Sequence, residues 1–252
     1  MNSPSILLFD IDGVIRDVAG SYRRALQETV QHYCGWRPGA EEIDHLKAEG
    51  AWNNDWDASL ELLRRHGGAV PERDALIEVF SDFYFGGDPE GDPSSWTGFI
   101  GDEPLLVNPG FFQTLSTAEV RWGFVSGAEP ASARFVLTQR LGLNNPPLIA
   151  MGDAPDKPDP TGLLRLTDQL IDGPSPGLIA YLGDTVADIN TVIQARSKRP
   201  DLSWLSLGVI PPHVKDRQGY EQRLKQAGAD HVLSTTTDAL KLINLEREPK
   251  TQ

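Results

Sequence analysis

From Val120 onward the chain repeats one texture, a short apolar run followed by a segment whose apolar residues fall three and four apart. Val120 to Val125 precedes Ala131 to Leu141, Leu148 to Met151 precedes Thr161 to Leu170, and Ile179 to Leu182 precedes Val186 to Ala195. That alternation predicts βαβ units on a parallel sheet. Leu205 to Ile210 and His231 to Leu233 supply further strands, with helices over Tyr220 to Gln226 and Asp238 to Asn244. Far upstream, Ser5 to Phe9 reads as one more buried strand and stops at Asp10-Ile-Asp-Gly, where Asp and Gly favour a turn.

An open parallel sheet places its ligands at the carboxyl ends of its strands, near the point where strand order reverses. The polar residues of interest fall there. Asp10 and Asp12 follow the first strand, Ser126-Gly127 follows Val120 to Val125, and Gly183-Asp184 follows Ile179 to Leu182. Lys157 follows Met151 after a short Gly-Asp-Ala-Pro-Asp loop. Four loops from separated parts of the sequence thus converge on one edge.

Between these segments, residues 19 to 85 read mostly as helices, over Ser21 to Tyr33, Asp57 to His66 and Arg73 to Tyr84. The stretch Gly86 to Ser95 is dense in turn formers and reads as a linker or hinge. A chain of 252 residues with 39% hydrophobic composition can bury a sizeable core. Its formal charge of −13 works against nucleic-acid and membrane-surface partners, since both are anionic. Cys34 is the single cysteine, which excludes an internal disulfide and a cysteine metal cluster and fits a reducing, cytoplasmic setting. No apolar run approaches the roughly 20 residues that span a bilayer, and no export signal opens the chain.

The chain resembles the haloacid dehalogenase superfamily through Asp10-Ile-Asp12-Gly13-Val14, Ser126-Gly127, Lys157-Pro158 and Gly183-Asp184-Thr-Val-Ala-Asp188, in the family's order. The resemblance implies an α/β architecture, a Rossmann-like core over 1–15 and 105–252 with a helical cap over 16–104 inserted after the first motif, as in subfamily IA. It also implies a Mg²⁺-dependent phosphatase for a small phosphorylated metabolite. In that scheme Asp10 is the nucleophile and forms an aspartyl-phosphate. Asp12 is the acid–base group, its backbone carbonyl a metal ligand. Ser126 and Gly127 offer a hydroxyl and an N–H to the phosphoryl group. Family members often carry Asn at the second of these positions, so Gly127 removes a side-chain contact. Lys157 balances the charge of Asp10 and the phosphate. Asp184 binds the metal, and Asp188, one helical turn on, supports it directly or through water. The candidate ligands are all oxygen atoms, which suits Mg²⁺, whereas zinc would want His or Cys.

Each residue also has a plainer reading. Asp12-Gly13 alone is a turn, Ser126 a turn or cap residue, Lys157 solvated surface, Asp184 a helix N-cap and Asp188 a surface acid. A calcium loop is rejected, since its sixth and twelfth positions hold Ile15 and Ser21. In the cap, Trp52, Asn53 and Asn54 could stack on and hydrogen-bond a sugar or polyol; alternatively Trp52 and Trp56 form a helical stripe that Asn54 or Asp55 caps. A sugar-phosphate mutase shares the same core and acid pair, and a non-catalytic binding protein would retain the same fold. Dehalogenase chemistry is disfavoured by Asp12.

Overall fold

The computed structural model describes residues 5–49, 52, 54–172 and 177–247. It divides into two compact units, one built from Met1–Asp17 and Leu105–Gln252, the other from Val18–Pro104. Arg16 and Asp17 therefore group with the first unit, two residues beyond the boundary read from the sequence.

The first unit is a six-stranded parallel sheet: β1 (Ser5–Phe9), β2 (Val120–Val125), β3 (Leu148–Ile149), β4 (Ile179–Gly183), β5 (Trp204–Val209) and β6 (His231–Leu233). Spatially the order is β3-β2-β1-β4-β5-β6. The chain builds outward on one side of β1, then crosses to the other, so the order reverses between β1 and β4. Alternate residues of β1 feed two separate cores. Leu7 and Phe9 pack with Phe112, Phe124 and Val136 on one face, while Ile6 and Leu8 pack with Ile149, Leu163 and Val192 on the other. Helices therefore cover both faces, which is why the strands are continuously apolar rather than alternating.

The second unit contains four α-helices among its described residues: α1 (Tyr22–Cys34), α2 (Ala40–Ala48), α3 (Asp55–His66) and α4 (Arg73–Tyr84). Leu26 and Val30 of α1, Leu62 and Leu63 of α3, and Leu76 and Phe80 of α4 are buried, and Tyr22 stacks on Tyr84 with ring centroids 4.2 Å apart. The Gly86 to Ser95 stretch, read above as a linker, folds back within this unit. Gly98 N–H donates to Phe85 O at 2.8 Å, Trp96 Nε1 donates to Asp88 O at 3.0 Å, and the Trp96 ring meets Phe85 edge-on. The crossings between units lie instead at Asp17–Val18 and Pro104–Leu105. Among the described residues no helix is long and apolar enough to cross a membrane.

Candidate active site

In the sheet, Phe9 is in register with Phe124 on one side and Leu182 on the other. The residues that follow these strands, Asp10, Ser126 and Asp184, therefore emerge side by side where the strand order reverses. Asp10 N–H donates to Leu182 O at 2.9 Å and fixes the first of them. The chain then winds tightly: the N–H groups of Val14, Ile15 and Arg16 all point to Ile11 O, at 3.3, 2.7 and 3.2 Å, and Gly13 N–H donates to Arg16 O at 2.9 Å. The turn needs glycine, since Gly13 has φ of 74° and a Cβ there would sit 2.3 Å from Asp184 Oδ2. Gly183 is likewise required, because its Cβ would lie 2.2 Å from that of Asp188.

Asp188 opens α8 (Val186–Lys198), whose N-cap is Thr185 rather than Asp184. Its Oδ2 accepts from Thr185 N–H at 3.0 Å and from Thr185 Oγ1 at 2.6 Å, while Thr185 Oγ1 accepts from Asp188 N–H at 3.2 Å. This reciprocal cap frees Asp184, one residue upstream, for other work. Asp188 is fully buried, not a surface acid.

Lys157 reaches the same point from the loop between β3 and α7 (Thr161–Leu170). Its Nζ lies 3.0 Å from Asp10 Oδ2 and 2.6 Å from Asp188 Oδ1, and 3.3 Å from the hydroxyl of the buried Tyr181. That hydroxyl stands 2.8 Å from Val125 O and 3.0 Å from Asp188 Oδ1, and its one proton serves one of them at a time. One ammonium thus binds two buried carboxylates.

Burial pushes Asp10 up to about 6, against the pull of Lys157 and with Asp188 and Asp12 adding to the rise. Burial, followed by the charges of Asp188 and Asp10, raises Asp184 well above the usual carboxylate range. Asp188 is held below that range: the cost of burying it is outweighed by Lys157 and by hydrogen bonds from Lys157 and Thr185. Lys157, despite its burial, is held well above its ordinary value by Asp10 and Asp188. The site carries more negative charge than one lysine offsets.

A divalent cation fits this excess. One carboxylate oxygen from each of Asp10, Asp184 and Asp188 lies within 4.8 Å of the others, and Asp10 Oδ1 is buried with no hydrogen-bond partner among the described residues. An orphaned buried carboxylate oxygen beside other oxygen donors is what a hard cation requires.

The other candidates stand as follows. Asp12 keeps 27% of its side chain exposed, and its Oδ1 accepts from Arg16 Nε at 2.7 Å. Ser126 is buried and its Oγ accepts from Ala128 N–H at 3.2 Å. Gly127 is exposed beside it, with nothing within 4 Å of where a Cβ would stand. In the second unit Asn54 is the N-cap of α3, its Oδ1 accepting from the N–H groups of Trp56 and Asp57 at 3.0 and 3.1 Å. Trp52 precedes the helix and donates to Glu49 Oε2 at 3.0 Å, so it forms no helical stripe with Trp56. Asn53 lies outside the described residues. Three residues of the site were missing from the sequence reading: Arg16, Tyr181 and Thr185. Only Thr185 left a legible signal, as a hydroxyl three residues before an acid at the start of a helix.

Residues 4–196 match the family model of haloacid dehalogenase-like hydrolases. The chain belongs to this family. A relative from Phytophthora nicotianae called imidazoleglycerol-phosphate dehydratase is 30% identical over 247 residues, and the match covers 93% of this chain and 51% of that protein. The chain thus spans about half the length of that relative. Among solved structures, the hydrolase fold is similar to a hydrolase from Pseudomonas syringae, at TM-score 0.65 and 18% identity over 95% of this chain and 98% of that one. It is also similar to phosphatase Tt82 from Thermococcus thioreducens, at TM-score 0.62 and 21% identity over 87% and 98% of the two chains.

Proposed function

We propose that this haloacid dehalogenase-like hydrolase cleaves a small phosphomonoester through an aspartyl-phosphate on Asp10. The observation that carries the reading is the state of Asp10, which is buried, bound at Oδ2 by Lys157 and, among the described residues, without a hydrogen-bond partner at Oδ1. A carboxylate so placed is available to attack phosphorus, and a new bond from Asp10 to phosphorus forms as the ester P–O bond breaks. Asp12, partly exposed nearby in the turn, gives a proton to the departing oxygen and takes one from the water that then attacks phosphorus, regenerating Asp10 and releasing inorganic phosphate. Lys157 offsets the negative charge of Asp10 and the phosphoryl oxygens. Ser126 and Gly127 are the nearby loop groups suited to a phosphoryl oxygen. Mg²⁺, held by the carboxylates of Asp10 and Asp184 and the backbone carbonyl of Asp12 with Asp188 behind them, would neutralise charge on the phosphoryl group. The helical unit would serve as the cap that selects the substrate, with Trp52 and Asn53 as its candidate contacts.

The name of the Phytophthora relative describes the whole of a protein that this chain half covers. Imidazoleglycerol phosphate and related imidazole phosphomonoesters accordingly belong in the substrate screen beside sugar and polyol phosphates.

Mixing the full chain with 4-nitrophenyl phosphate and Mg²⁺, quenching in acid and mapping the phosphate by mass tests the reading. The expected result is an acyl phosphate at Asp10, lost in Asp10→Asn and in chelator. A phosphate on serine or histidine, or undiminished turnover in chelator, overturns it. Release of inorganic phosphate without an added sugar bisphosphate separates the hydrolase from a mutase.

A further inference from the structure

Arg16 is fully buried, a position where a guanidinium persists only if its charge and donors are engaged. Its Nε donates to Asp12 Oδ1 at 2.7 Å, and its Nη2 donates to Ser132 Oγ, also at 2.7 Å. Ser132 is itself fully buried, on α6 (Pro130–Arg134), the helix that follows the Ser126 loop. The backbone brings Arg16 to this place, because the turn from Ile11 to Arg16 returns the chain on itself and pairs Asp12 with Arg16 in an isolated bridge. The guanidinium is thereby anchored on a helix at one end and on the acid at the other. A planar fork held at two points fixes the carboxylate it binds, which a point-charge ammonium would not do. One oxygen of Asp12 is occupied, while the side chain keeps part of its surface open.

We infer that Arg16, anchored by Ser132, is a positioning residue that holds Asp12 in the orientation from which it exchanges protons with the leaving oxygen and then with water. The inference rests on the phosphatase reading above and adds to it the group that orients the acid. The plain alternative is a staple between the turn and α6 with no bearing on proton transfer. The two differ in leaving-group dependence, because nitrophenolate departs without protonation whereas phenolate benefits from an acid.

The test measures kcat and KM of the full chain with Mg²⁺ on 4-nitrophenyl phosphate and phenyl phosphate, for the parent, Arg16→Gln, Arg16→Lys and Ser132→Ala. Arg16→Gln should lower kcat/KM, which reports the steps up to the phosphoenzyme and not its hydrolysis, about tenfold more on phenyl phosphate than on the nitrophenyl ester, part of the about 10²–10⁴ that a well-placed acid contributes. Arg16→Lys should recover part of the loss. In an Asp12→Asn background, Arg16→Gln should add no further difference between the esters, because its effect passes through Asp12. Ser132→Ala, which removes the far anchor and leaves Arg16 in place, should show the same pattern more weakly and carries the comparison if Arg16→Gln does not fold. Equal losses of kcat/KM on both esters, or the same loss with and without Asp12, assign Arg16 a staple role and overturn the inference while the phosphatase reading stands. A parent chain that cleaves neither ester overturns both.

Discussion

Replacing Asp10 by Asn keeps the size of the side chain and removes its charge, and in chelator the consequence is a gain in stability. A carboxyl that binds its proton more tightly when folded than when unfolded stabilises the fold at low pH and forfeits that contribution as pH rises through its folded pKa. For Asp10 the window runs from 3.8 to about 6. Raising a pKa over that interval corresponds to about 3 kcal/mol. At pH 8 in chelator, Asp10→Asn should therefore be more stable than the parent by up to about 3 kcal/mol. That is a Tm gain of about 6–12 °C for a unit of this size. The gap should close below pH 4, where the parent carboxyl is protonated in both states. Added Mg²⁺ should also narrow it, by stabilising the parent more than the variant. Thermal unfolding followed at pH 4, 6 and 8, with chelator and with Mg²⁺, measures all of this. A variant that is less stable at every pH, or a gap that does not change between pH 4 and 8, would refute the claim that Asp10 is a buried charge kept for chemistry at the expense of the fold.

Gly13→Ala places a methyl 2.3 Å from Asp184 Oδ2 on a left-handed residue. It should raise the Mg²⁺ concentration for half-maximal activity about 10- to 100-fold, as moving a ligand's support does, and an unchanged Mg²⁺ titration would count against Asp184 as a ligand. Asn54→Ala deprives the N–H groups of Trp56 and Asp57 of their acceptor. The helical unit should lose about 1 kcal/mol, visible as a lower melting temperature, with no change in the preference between a good substrate and 4-nitrophenyl phosphate; a changed preference would restore Asn54 as a substrate contact. Hydrogen bonds from Arg64 and Arg65 hold Glu61 down to about 2. Its contribution to stability should be present above about pH 4.5 and fade as pH falls toward 2, so Glu61→Gln should flatten the acid limb of the stability curve of this unit.

The loops at the sheet edge were legible because a parallel sheet gives its carboxyl ends a common location, whatever the separation in sequence. Asp10 and Asp184 are 174 positions apart in the chain, yet both follow apolar runs that stop at Asp. Arg16 was not legible, since a single arginine after a turn looks like surface until the fold buries it. Two helices also escaped. Of α2, Ala-Glu-Glu-Ile-Asp-His-Leu-Lys-Ala, Ile43 and Leu46 are buried large apolar side chains, too few to mark a period. A further helix, α5 (Gly110–Thr117), begins with glycine and two phenylalanines, a poor helical signature that packing of Phe111 and Phe112 beneath the sheet overrides. The Gly86 to Ser95 stretch misled for the opposite reason: turn formers mark a change of direction, and whether that change lies within a unit or between units depends on contacts that composition does not encode.

The two crossings at Asp17 and Leu105 lie next to each other within the sheet unit, with Arg16 bridged antiparallel to Leu105 and Leu106 N–H donating to Ile15 O at 2.8 Å. The sheet therefore sees residues 18–104 as a loop whose ends are already joined. In polymer terms, closing that loop depends weakly on its length, each doubling adding only about 0.6 kcal/mol. The inserted segment can consequently be lengthened, shortened or exchanged with little cost to the strands that carry Asp10 and Asp184. Such a layout lets a lineage vary the inserted segment while inheriting the sheet edge unchanged.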